Sequence, residues 1–361
     1  MKDLIVKKHI WLPSLKEKWE RLTTRSGYNG LYTYGFVNGM WRKNLPYSIK
    51  SRSIPVFYEV LRNGETIMIA PLYKRFGGKY SSFKIGVGCP FGFVGFKDGF
   101  DDAVMALLSY IKGNVSLNTI EDRSSLRSFA PNNSSIIDSC SADNGYAINL
   151  PDSFDAYLKT LHSSMRQNIR TAYNRIQKEG KEMKVYILRN KDGKHIEKEI
   201  HAITDNEYND VHISKKQMAV LKKEMYAFYY RRLQRYHVNK GRVKQWFNNH
   251  FNHLIYNAEK LETAYTIILE IDGRAASFLY AFMLPKGDRM WIPILSFNTD
   301  YKFFSPGVII LCEFIKYLLN ETNVRCLDLG LGNEPYKQKM GGEVYEYMNY
   351  RIVSFDSLRN T

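Results

Sequence analysis

The amino-acid sequence predicts an α/β protein made of two similar halves, with mixed sheets flanked by helices and a mainly helical segment connecting the halves. Three observations support this fold class. Residues 289–340 alternate strand-like and helix-like patterns, two other segments have the pattern of β-hairpins, and similar elements follow both hairpins at the same spacing. Alternation of strands and helices is typical of α/β proteins.

Residues 289–297 are short and almost entirely apolar, which predicts a strand covered on both faces. The polar residues 298–302 end that strand, and residues 308–319 then predict a largely buried helix. Residues 324–330 predict a second short strand. Because ligand clefts of α/β proteins form where such strands end, we expect a cleft at this place in the chain.

The predicted helix begins with Ser305, Pro306 and Gly307. A serine can cap a helix, a proline fits its first turn, and a glycine lets another group approach the main chain. Asn333 and Pro335 repeat this pattern after the second strand. Free N–H groups at two helix N-termini would suit a phosphate or an oxyanion, and the alternative is ordinary α/β architecture without a ligand.

Residues 55–74 and 264–284 predict hairpins that turn at Asn-Gly and Asp-Gly, respectively. The glycines of these turns, Gly64 and Gly273, are 273 − 64 = 209 residues apart. The predicted strands that close the two patterns begin 324 − 115 = 209 residues apart, at Val115 and Val324. Equal offsets at both ends predict a duplicated α/β unit, although sequence identity between the halves is slight.

Residues 151–260 are predicted to be mainly helical. Within residues 163–180 an apolar helix face lies beside a second face that carries Arg166 and Arg170. Guanidinium groups match phosphate and carboxylate geometry, so we expect these two arginines to bind an anionic part of a substrate. The alternative is a solvated helix face.

The chain has 52 Lys and Arg against 36 Asp and Glu, a net charge of +16. This charge favours an anionic partner such as a phosphate-bearing small molecule, a nucleotide-sugar, a phospholipid surface or RNA, and the alternative is simply a basic surface. The N-terminal residues lack a signal-peptide core, and no stretch approaches the ~20 apolar residues of a spanning helix. We therefore expect a cytoplasmic protein that can associate with an anionic membrane surface.

No metal site or disulfide is expected. The four cysteines are scattered without a Cys-x-x-Cys pair: Cys89, Cys140, Cys312 and Cys326. His237, His250 and His253 lie among apolar residues at helical spacing, and no carboxylate accompanies them at ligand spacing. These patterns predict reduced thiols and packed or surface histidines.

Four motifs together are similar to a known family: the basic helix SSMRQNIRTAYNRIQKEG, the Asp-Gly hairpin, the strand-loop-SPG-helix unit and the segment DLGLGNEPYKQKMGG. With them the chain resembles the acetyltransferase-like group of the GNAT superfamily that includes cellulose-biosynthesis-type and FemAB-like proteins. Members of this group are built from two GNAT-like halves. The resemblance covers most of the chain and implies two tandem GNAT-like domains.

The resemblance implies transfer of an acyl group from acyl-CoA, such as acetyl-CoA, to an amine of a sugar or of a cell-envelope or polysaccharide precursor, without a metal. The Fem branch implies aminoacyl-tRNA as the donor instead. A non-catalytic module that binds a glycan or a nucleic acid is a third interpretation. The expected domains are a first half at 1–150, a helical connection at 151–260 and a second half with the donor site at 261–361.

Attack of an amine on a thioester requires a base, a group that stabilises the oxyanion and an acid for the leaving thiolate. Asp328 is the first candidate base, Glu334 the second, and Tyr336 the candidate acid. The alternatives are a carboxylate that caps a turn and ordinary surface residues. We expect the acyl donor to be bound by Ser296, Phe297, Ser305, Gly307, Gly330, Gly332 and Lys337.

Residues 86–96, with the sequence GVGCPFGFVGF, stand at the equivalent place in the first half. Their four glycines among aromatic residues predict either an acceptor groove or a tightly packed loop. A Gly-x-Gly without a following phosphate-binding pattern is weak evidence for a binding site.

Overall fold

The computed structural model describes residues 4–26, 33–50, 53–75, 77–82, 84–85, 89–90, 93–96, 98–111, 113–121, 126, 129–130, 136–190, 198–204, 207–210, 213–236, 261–283 and 287–353. The chain forms two compact units. The first unit comprises Met1–Gly145, Leu331–Asn333 and Tyr345–Thr361, and the second comprises Tyr146–Gly330 and Glu334–Val344. The domain boundaries expected from the sequence stay predictions.

The strands of the described part are numbered in chain order. They are β1 (Leu4–His9), β2 (Ser53–Arg62), β3 (Glu65–Arg75), β4 (Tyr80–Ser82), β5 (Lys84–Ile85), β6 (Cys89–Pro90), β7 (Val94–Gly95), β8 (Val115–Glu121), β9 (Ile137–Asn149), β10 (Met183–Asn190), β11 (Lys198–Thr204), β12 (Glu207–Asp210), β13 (Ala264–Ile271), β14 (Arg274–Met283), β15 (Arg289–Phe297), β16 (Cys326–Leu331) and β17 (Glu343–Ile352).

The helices of the same residues are numbered likewise. They are α1 (Lys16–Ser26), α2 (Tyr34–Lys50), α3 (Phe100–Tyr110), α4 (Phe154–Thr160), α5 (Ser163–Lys178), α6 (Lys215–Tyr236), α7 (Pro306–Glu321) and α8 (Pro335–Lys339), with 3₁₀ helices at Leu12–Leu15 and Thr299–Phe304. Among the described helices, none combines the length and the apolar character that crossing a bilayer requires.

In the first unit the strands pair in the order β1-β2-β3-β4-β8-β17. β2 and β3 form the predicted hairpin, and Asn63 and Gly64 at its turn have φ values of 51° and 80°. Positive φ at both central positions is the geometry of a type I′ turn, which an Asn-Gly pair favours. β4 pairs antiparallel with β3 and parallel with β8.

In the second unit the order is β16-β15-β14-β13-β10-β11-β12. β13 and β14 form the other predicted hairpin, with φ values of 50° at Asp272 and 76° at Gly273. β15 pairs antiparallel with β14 and parallel with β16. Helix α7 connects these parallel strands, and most of its side chains are buried in the core of this unit.

The two units thus repeat one order of elements: a hairpin, a third strand, a helix and a strand parallel to the third. This confirms the predicted α/β fold class with its tandem halves. The predicted helical content of residues 151–260 is present in α4, α5 and α6.

Strands β10, β11 and β12 lie between these helices and were not predicted. β10 is specified by its pairing with β13, about eighty residues further along the chain, because Val185 opposite Leu269 and Ile187 opposite Ile267 are fully buried. A local pattern does not reveal such distant pairing. Residues His237, His250 and His253, for which packed or surface positions were predicted, lie outside the described residues.

Candidate functional site

The second unit contains a cleft with a volume of about 430 Å³. Its walls come from the carboxyl end of β15, the N-terminus of α7, the 3₁₀ helix at Thr299–Phe304, the last turns of α6, and α8 with the residues beside it. This is the position at which the sequence predicted a ligand cleft. Of the candidate site residues, Phe297, Ser305, Gly307, Glu334 and Tyr336 line it.

One part of the cleft lining is apolar. It consists of Phe228, Leu295, Phe297, Val308 and Met340. Phe297 is the last residue of β15 and 38% exposed, whereas Met340 is fully buried. An apolar wall of this kind fits the hydrocarbon part of a ligand, because burying that part removes apolar surface from water.

The cleft is also strongly basic. Four cationic side chains line it, Arg231, Arg232, Arg235 and Lys302, against one carboxylate, that of Glu334. The three arginines follow Phe228 at the i+3, i+4 and i+7 positions of α6, so all four side chains lie on one stripe of the helix. The cleft therefore favours an anionic ligand.

Packing against the sheet holds this stripe in place. The Arg232 Nη1 atom donates a hydrogen bond of 2.6 Å to the main-chain oxygen of Leu295. The rings of Phe228 and Phe278 have centroids 5.5 Å apart, which joins α6 to β14. Glu224 accepts a 2.8 Å hydrogen bond from the Ala275 amide. The three arginines at the cleft therefore belong to a helix that is fixed on β14 and β15.

The N-terminus of α7 opens into the cleft through Ser305, Pro306, Gly307 and Val308. Pro306 stands in the first turn, as predicted, and this turn contains no acidic residue. Ser305 does not cap the helix with its side chain, which corrects that expectation. Its φ of 52° places it in the left-handed region, and its main-chain oxygen instead accepts from the Val308 amide at 2.9 Å.

Packing does not require a glycine at position 307. A Cβ atom at this position would lie 3.5 Å from both Leu295 and Phe297, which is ordinary van der Waals contact. The amide at the start of this sixteen-residue helix therefore has room beside it for a ligand group. Main-chain amides and the positive end of the helix dipole together favour an anion there.

Tyr336 and Glu334 lie at the start of α8. The residue that precedes the helix is Glu334 rather than the predicted Asn333, and its side chain makes no capping hydrogen bond. Its Oε2 atom lies 3.0 Å from Lys337 Nζ. Burial raises the pKa of Tyr336 above its ordinary value, and the charge of Glu334 adds to this shift. The phenol therefore keeps its proton at physiological pH.

Asp328 is not among the residues that line the cleft. It is buried in β16, forms an ion pair with Arg289 of β15, and accepts a 2.8 Å hydrogen bond from the Gly330 amide. These contacts fix the kink at Gly330, where φ is 67°. The geometry favours a positioning role for Asp328, and its predicted role as a base stays a prediction.

Three more of the predicted donor-binding residues are not part of the cleft wall. Lys337 is buried, and its Nζ atom donates to the Gly330 main-chain oxygen at 3.1 Å, which ties α8 to β16. Ser296 is fully buried, and within the described atoms its hydroxyl has no hydrogen-bond partner. Gly332 belongs to the first unit, where its amide donates to Asn144 at 2.9 Å.

Arg166 and Arg170 are exposed on α5, and neither lines the cleft. Arg166 Nη1 donates to the main-chain oxygen of Leu161 at 2.7 Å, which satisfies a carbonyl at the end of α4. The structure thus gives Arg166 a local structural contact, and substrate binding by both arginines stays a prediction.

The arginine stripe on α6 is the part of the cleft that sequence analysis missed. Its signal is present in residues 228–235, FYYRRLQR, where an aromatic residue and three arginines share one helical face. The sequence does not show that α6 packs against β15, some sixty residues later, and this packing is what brings the stripe to the cleft. Among described residues, no group of His, Cys, Asp and Glu side chains is placed to hold a metal ion.

Free thiols are present at Cys140, Cys312 and Cys326. The state of the Cys89 thiol is outside what the structure describes. Burial raises the pKa of the Cys312 thiol to about 12, so it is inert as a nucleophile at neutral pH.

The ladder between β15 and β16 is short. β15 pairs with β16 from Arg289 opposite Cys326 to Trp291 opposite Asp328. Beyond Trp291, the described ladder of β15 continues with β14 alone.

Comparison with known proteins agrees with this architecture. Residues 163–338 match the model of the family described as Acetyltransferase (GNAT) domain. No curated protein matches the chain in sequence.

Two solved structures are similar over nearly their whole length. A conserved protein of unknown function from Bacteroides thetaiotaomicron VPI-5482 is 10% identical, with 97% of this chain and 100% of that chain covered and a TM-score of 0.53. L-PGS from Bacillus licheniformis is 12% identical, with coverages of 95% and 93% and a TM-score of 0.52. At these identities the similarity shows a shared fold alone. The family match spans β15, α7 and β16 and includes every residue that lines the cleft except Met340.

Proposed function

We propose that the second unit is an acyltransferase that takes its acyl group from an acyl-CoA bound in the cleft and transfers it to an amine. The acceptor we propose is an amino group of a sugar or of another cell-envelope or polysaccharide precursor. One observation carries the proposal: the cleft combines four cations and an acid-free helix N-terminus with an apolar wall.

This combination fits a CoA thioester, which has phosphates at one end and, leading to the thioester at the other, a chain of methylene and methyl groups that also contains two amides. The α7 amides and the α6 arginines would bind the phosphates, because amides and guanidinium groups are strong donors to such anions. Leu295 and Phe297 would contact the chain that leads to the thioester. No metal is required in this scheme.

The chemistry needs few side chains. The amine attacks the thioester carbonyl, the new C–N bond forms, and the C–S bond breaks. Tyr336, whose raised pKa keeps it protonated, would supply the proton taken by the leaving thiolate. Glu334 is the carboxylate at the cleft and would accept the amine proton. Asp328 remains a second candidate base, and acceptor binding remains our proposal for Arg166 and Arg170.

A second candidate donor is an aminoacyl-tRNA, as in the Fem branch of the family. The observation that favours it is the exposure of Arg231, Arg235 and Lys302 on a chain with a net charge of +16. Nucleic-acid binding by such a surface depends steeply on salt, whereas CoA engages only a few phosphates.

Calorimetric titration of the purified chain with acetyl-CoA, with desulfo-CoA and with tRNA tests the proposal. We expect saturable binding of both CoA compounds, because both contain the phosphates and the chain that leads to the position of the sulfur. Binding of tRNA without any response to CoA would replace the proposal with the aminoacyl-tRNA alternative. No binding of either ligand would contradict both and leave a non-catalytic glycan- or nucleic-acid-binding module.

A further inference from the structure

The first unit carries exposed apolar side chains at one edge of its sheet. We call Ile10, Trp11, Ile54 and Tyr110 the edge patch. Their side chains are 67%, 56%, 58% and 50% exposed, respectively. Large apolar residues exposed singly are common, but a group of them usually marks an interaction surface.

The strand register brings members of the edge patch to one end of β2. Ile10 directly follows His9, which lies opposite Phe57 of β2, and Ile54 is three residues from Phe57 on the same strand. Side chains alternate along a strand, so Ile54 and Tyr58 share a face. The Tyr58 and Tyr110 rings have centroids 6.0 Å apart, which places Tyr110 on that face too.

Trp11 is held in place despite its exposure. Its ring meets that of Trp41 edge to face, with centroids 4.9 Å apart. The next residue, Leu12, is fully buried. The exposed indole therefore belongs to a packed part of the unit. Core packing does not explain why this large apolar side chain is exposed to water.

Basic side chains surround the edge patch. Lys7 and Lys8 are exposed on β1, and Lys74 lies opposite Ile54 at the end of β3, next to the exposed Arg75. One described acid of this region, Glu59, lies opposite Lys7 but is fully buried.

The Glu59 carboxylate is occupied inside the unit. It lies 2.9 Å from His9 Nε2, 2.7 Å from Lys18 Nζ and 2.5 Å from Thr66 Oγ1. Within the part of the chain that the structure describes, no ion pair joins an acid to Lys7, Lys8, Lys74 or Arg75.

We propose that the edge patch docks the first unit on an anionic lipid surface. Indole, phenol and branched aliphatic side chains next to lysines match the boundary between lipid headgroups and acyl chains, where apolar groups insert and cations meet anionic lipids. A second copy of the chain fits less well, because lysines on an edge strand oppose pairing with another strand. This proposal does not depend on the proposed acyl transfer.

Sedimentation of the full chain with lipid vesicles tests the proposal. We expect binding to vesicles of phosphatidylcholine mixed with phosphatidylglycerol, and little binding to phosphatidylcholine alone. Ile10→Ser/Ile54→Ser should weaken binding at least about tenfold, because two apolar anchors are lost. The matched control Val220→Ser/Val344→Ser removes two exposed apolar side chains of the second unit and should change nothing.

A charge-reversal pair tests the electrostatic part. Lys7→Glu/Lys8→Glu should weaken binding about 25-fold or more, at roughly fivefold for each lysine. Lys178→Glu/Lys223→Glu changes the net charge equally at exposed positions of the second unit and is its control. Equal losses in test and control variants would overturn the proposal, as would failure to bind mixed vesicles.

Analytical ultracentrifugation without lipid distinguishes the second-copy alternative. A dimer that Ile10→Ser/Ile54→Ser dissociates would assign the edge patch to self-association and overturn membrane docking. Unchanged thermal unfolding of the variants would show that each loss comes from the surface, since both isoleucines are exposed.

Discussion

The two units follow the same order of elements but differ where the third strand meets its helix. In the second unit β15 is nine residues long, and α7 begins without an acid in its first turn. In the first unit β4 has three residues, and α3 begins with Asp101 and Asp102. Carboxylates in a first turn compensate the helix dipole themselves. A duplicated chain path therefore does not imply a duplicated anion site.

The start of α3 is further occupied by a cation of its own unit. Arg62 Nη2 lies 3.0 Å from Asp102 Oδ2. A Cβ atom on Gly99, the residue before the helix, would lie 2.4 Å from the Arg62 guanidinium. The first unit thus satisfies its helix N-terminus internally, whereas α7 presents its own to the cleft.

A second difference lies inside the sheets. Tyr80 opposite Val115 in the first unit corresponds to Arg289 opposite Cys326 in the second, because each pair starts the parallel ladder. Counted from these pairs, Asp328 corresponds to Leu117. The second unit therefore has a buried ion pair between Arg289 and Asp328 where the first has Tyr80 and the fully buried Leu117.

The largest expected effect comes from breaking this ion pair. Asp328→Asn leaves the Arg289 guanidinium buried without its counter-charge, which costs about 3–5 kcal/mol of unfolding free energy. Urea unfolding of the purified variant measures the loss. A variant that unfolds like the wild type but has lost activity would instead support the predicted role of Asp328 as a base.

The double variant Arg289→Met/Asp328→Leu is the matched control, because it gives the second unit an apolar arrangement like that of the first. It should recover most of the stability that Asp328→Asn loses. If it is stable and active, a base role for Asp328 is excluded.

The next effect concerns the chemistry in the second unit. Tyr336→Phe removes the proposed proton donor and should lower kcat about a hundredfold while the Kd for acetyl-CoA stays unchanged. Because burial raises the pKa of Tyr336, the wild-type rate should not fall through loss of this proton below about pH 10. An unchanged kcat in the variant would assign the proton to another group.

The sequence predicted the chain path well because its signals are local. Turn residues with positive φ, such as Gly64 and Gly273, and the apolar runs of β15 and α7 are specified within a few residues. The pairing of β10 with β13 could not be predicted from such a signal, since it depends on a partner far along the chain.

The difference between local signals and distant contacts also explains which candidate site residues line the cleft. Ser305, Gly307 and Tyr336 line the cleft because helix starts after parallel strands meet there, which the sequence indicates. Asp328 and Lys337 are chemically suitable, but burial and their partners within the sheet decide where they lie. The arginines of α6 reach the cleft only through tertiary packing.

The difference between the two helix starts predicts an effect of intermediate size. Gly307→Asp gives α7 a first-turn acid like those of α3, and the carboxylate should repel the phosphates and weaken acetyl-CoA binding about thirtyfold. Gly307→Ala, which adds only the Cβ, should change binding little because there is room for it. Equal losses in both variants would mean that steric blocking, not charge, is responsible.

Removal of the exposed α6 arginines should have a smaller effect. Arg231→Ala/Arg235→Ala should raise the Kd for acetyl-CoA about tenfold and reduce its salt dependence, because exposed charge contacts contribute little individually. Lys216→Ala/Lys223→Ala, at exposed positions of the same helix outside the cleft lining, is the control. A loss a hundred times larger for tRNA than for acetyl-CoA would favour the aminoacyl-tRNA donor.

The smallest effect tests what the two units share. Gly64 and Gly273 have φ values of 80° and 76° at equivalent turns, and a Cβ on either would meet nothing within 4 Å. Gly64→Ala and Gly273→Ala should therefore each cost about 1 kcal/mol through backbone strain alone. Urea unfolding followed by near-ultraviolet circular dichroism measures both losses. Clearly unequal losses would mean that the turns differ in how tightly each unit holds them, and that the similarity of the halves ends at the chain path.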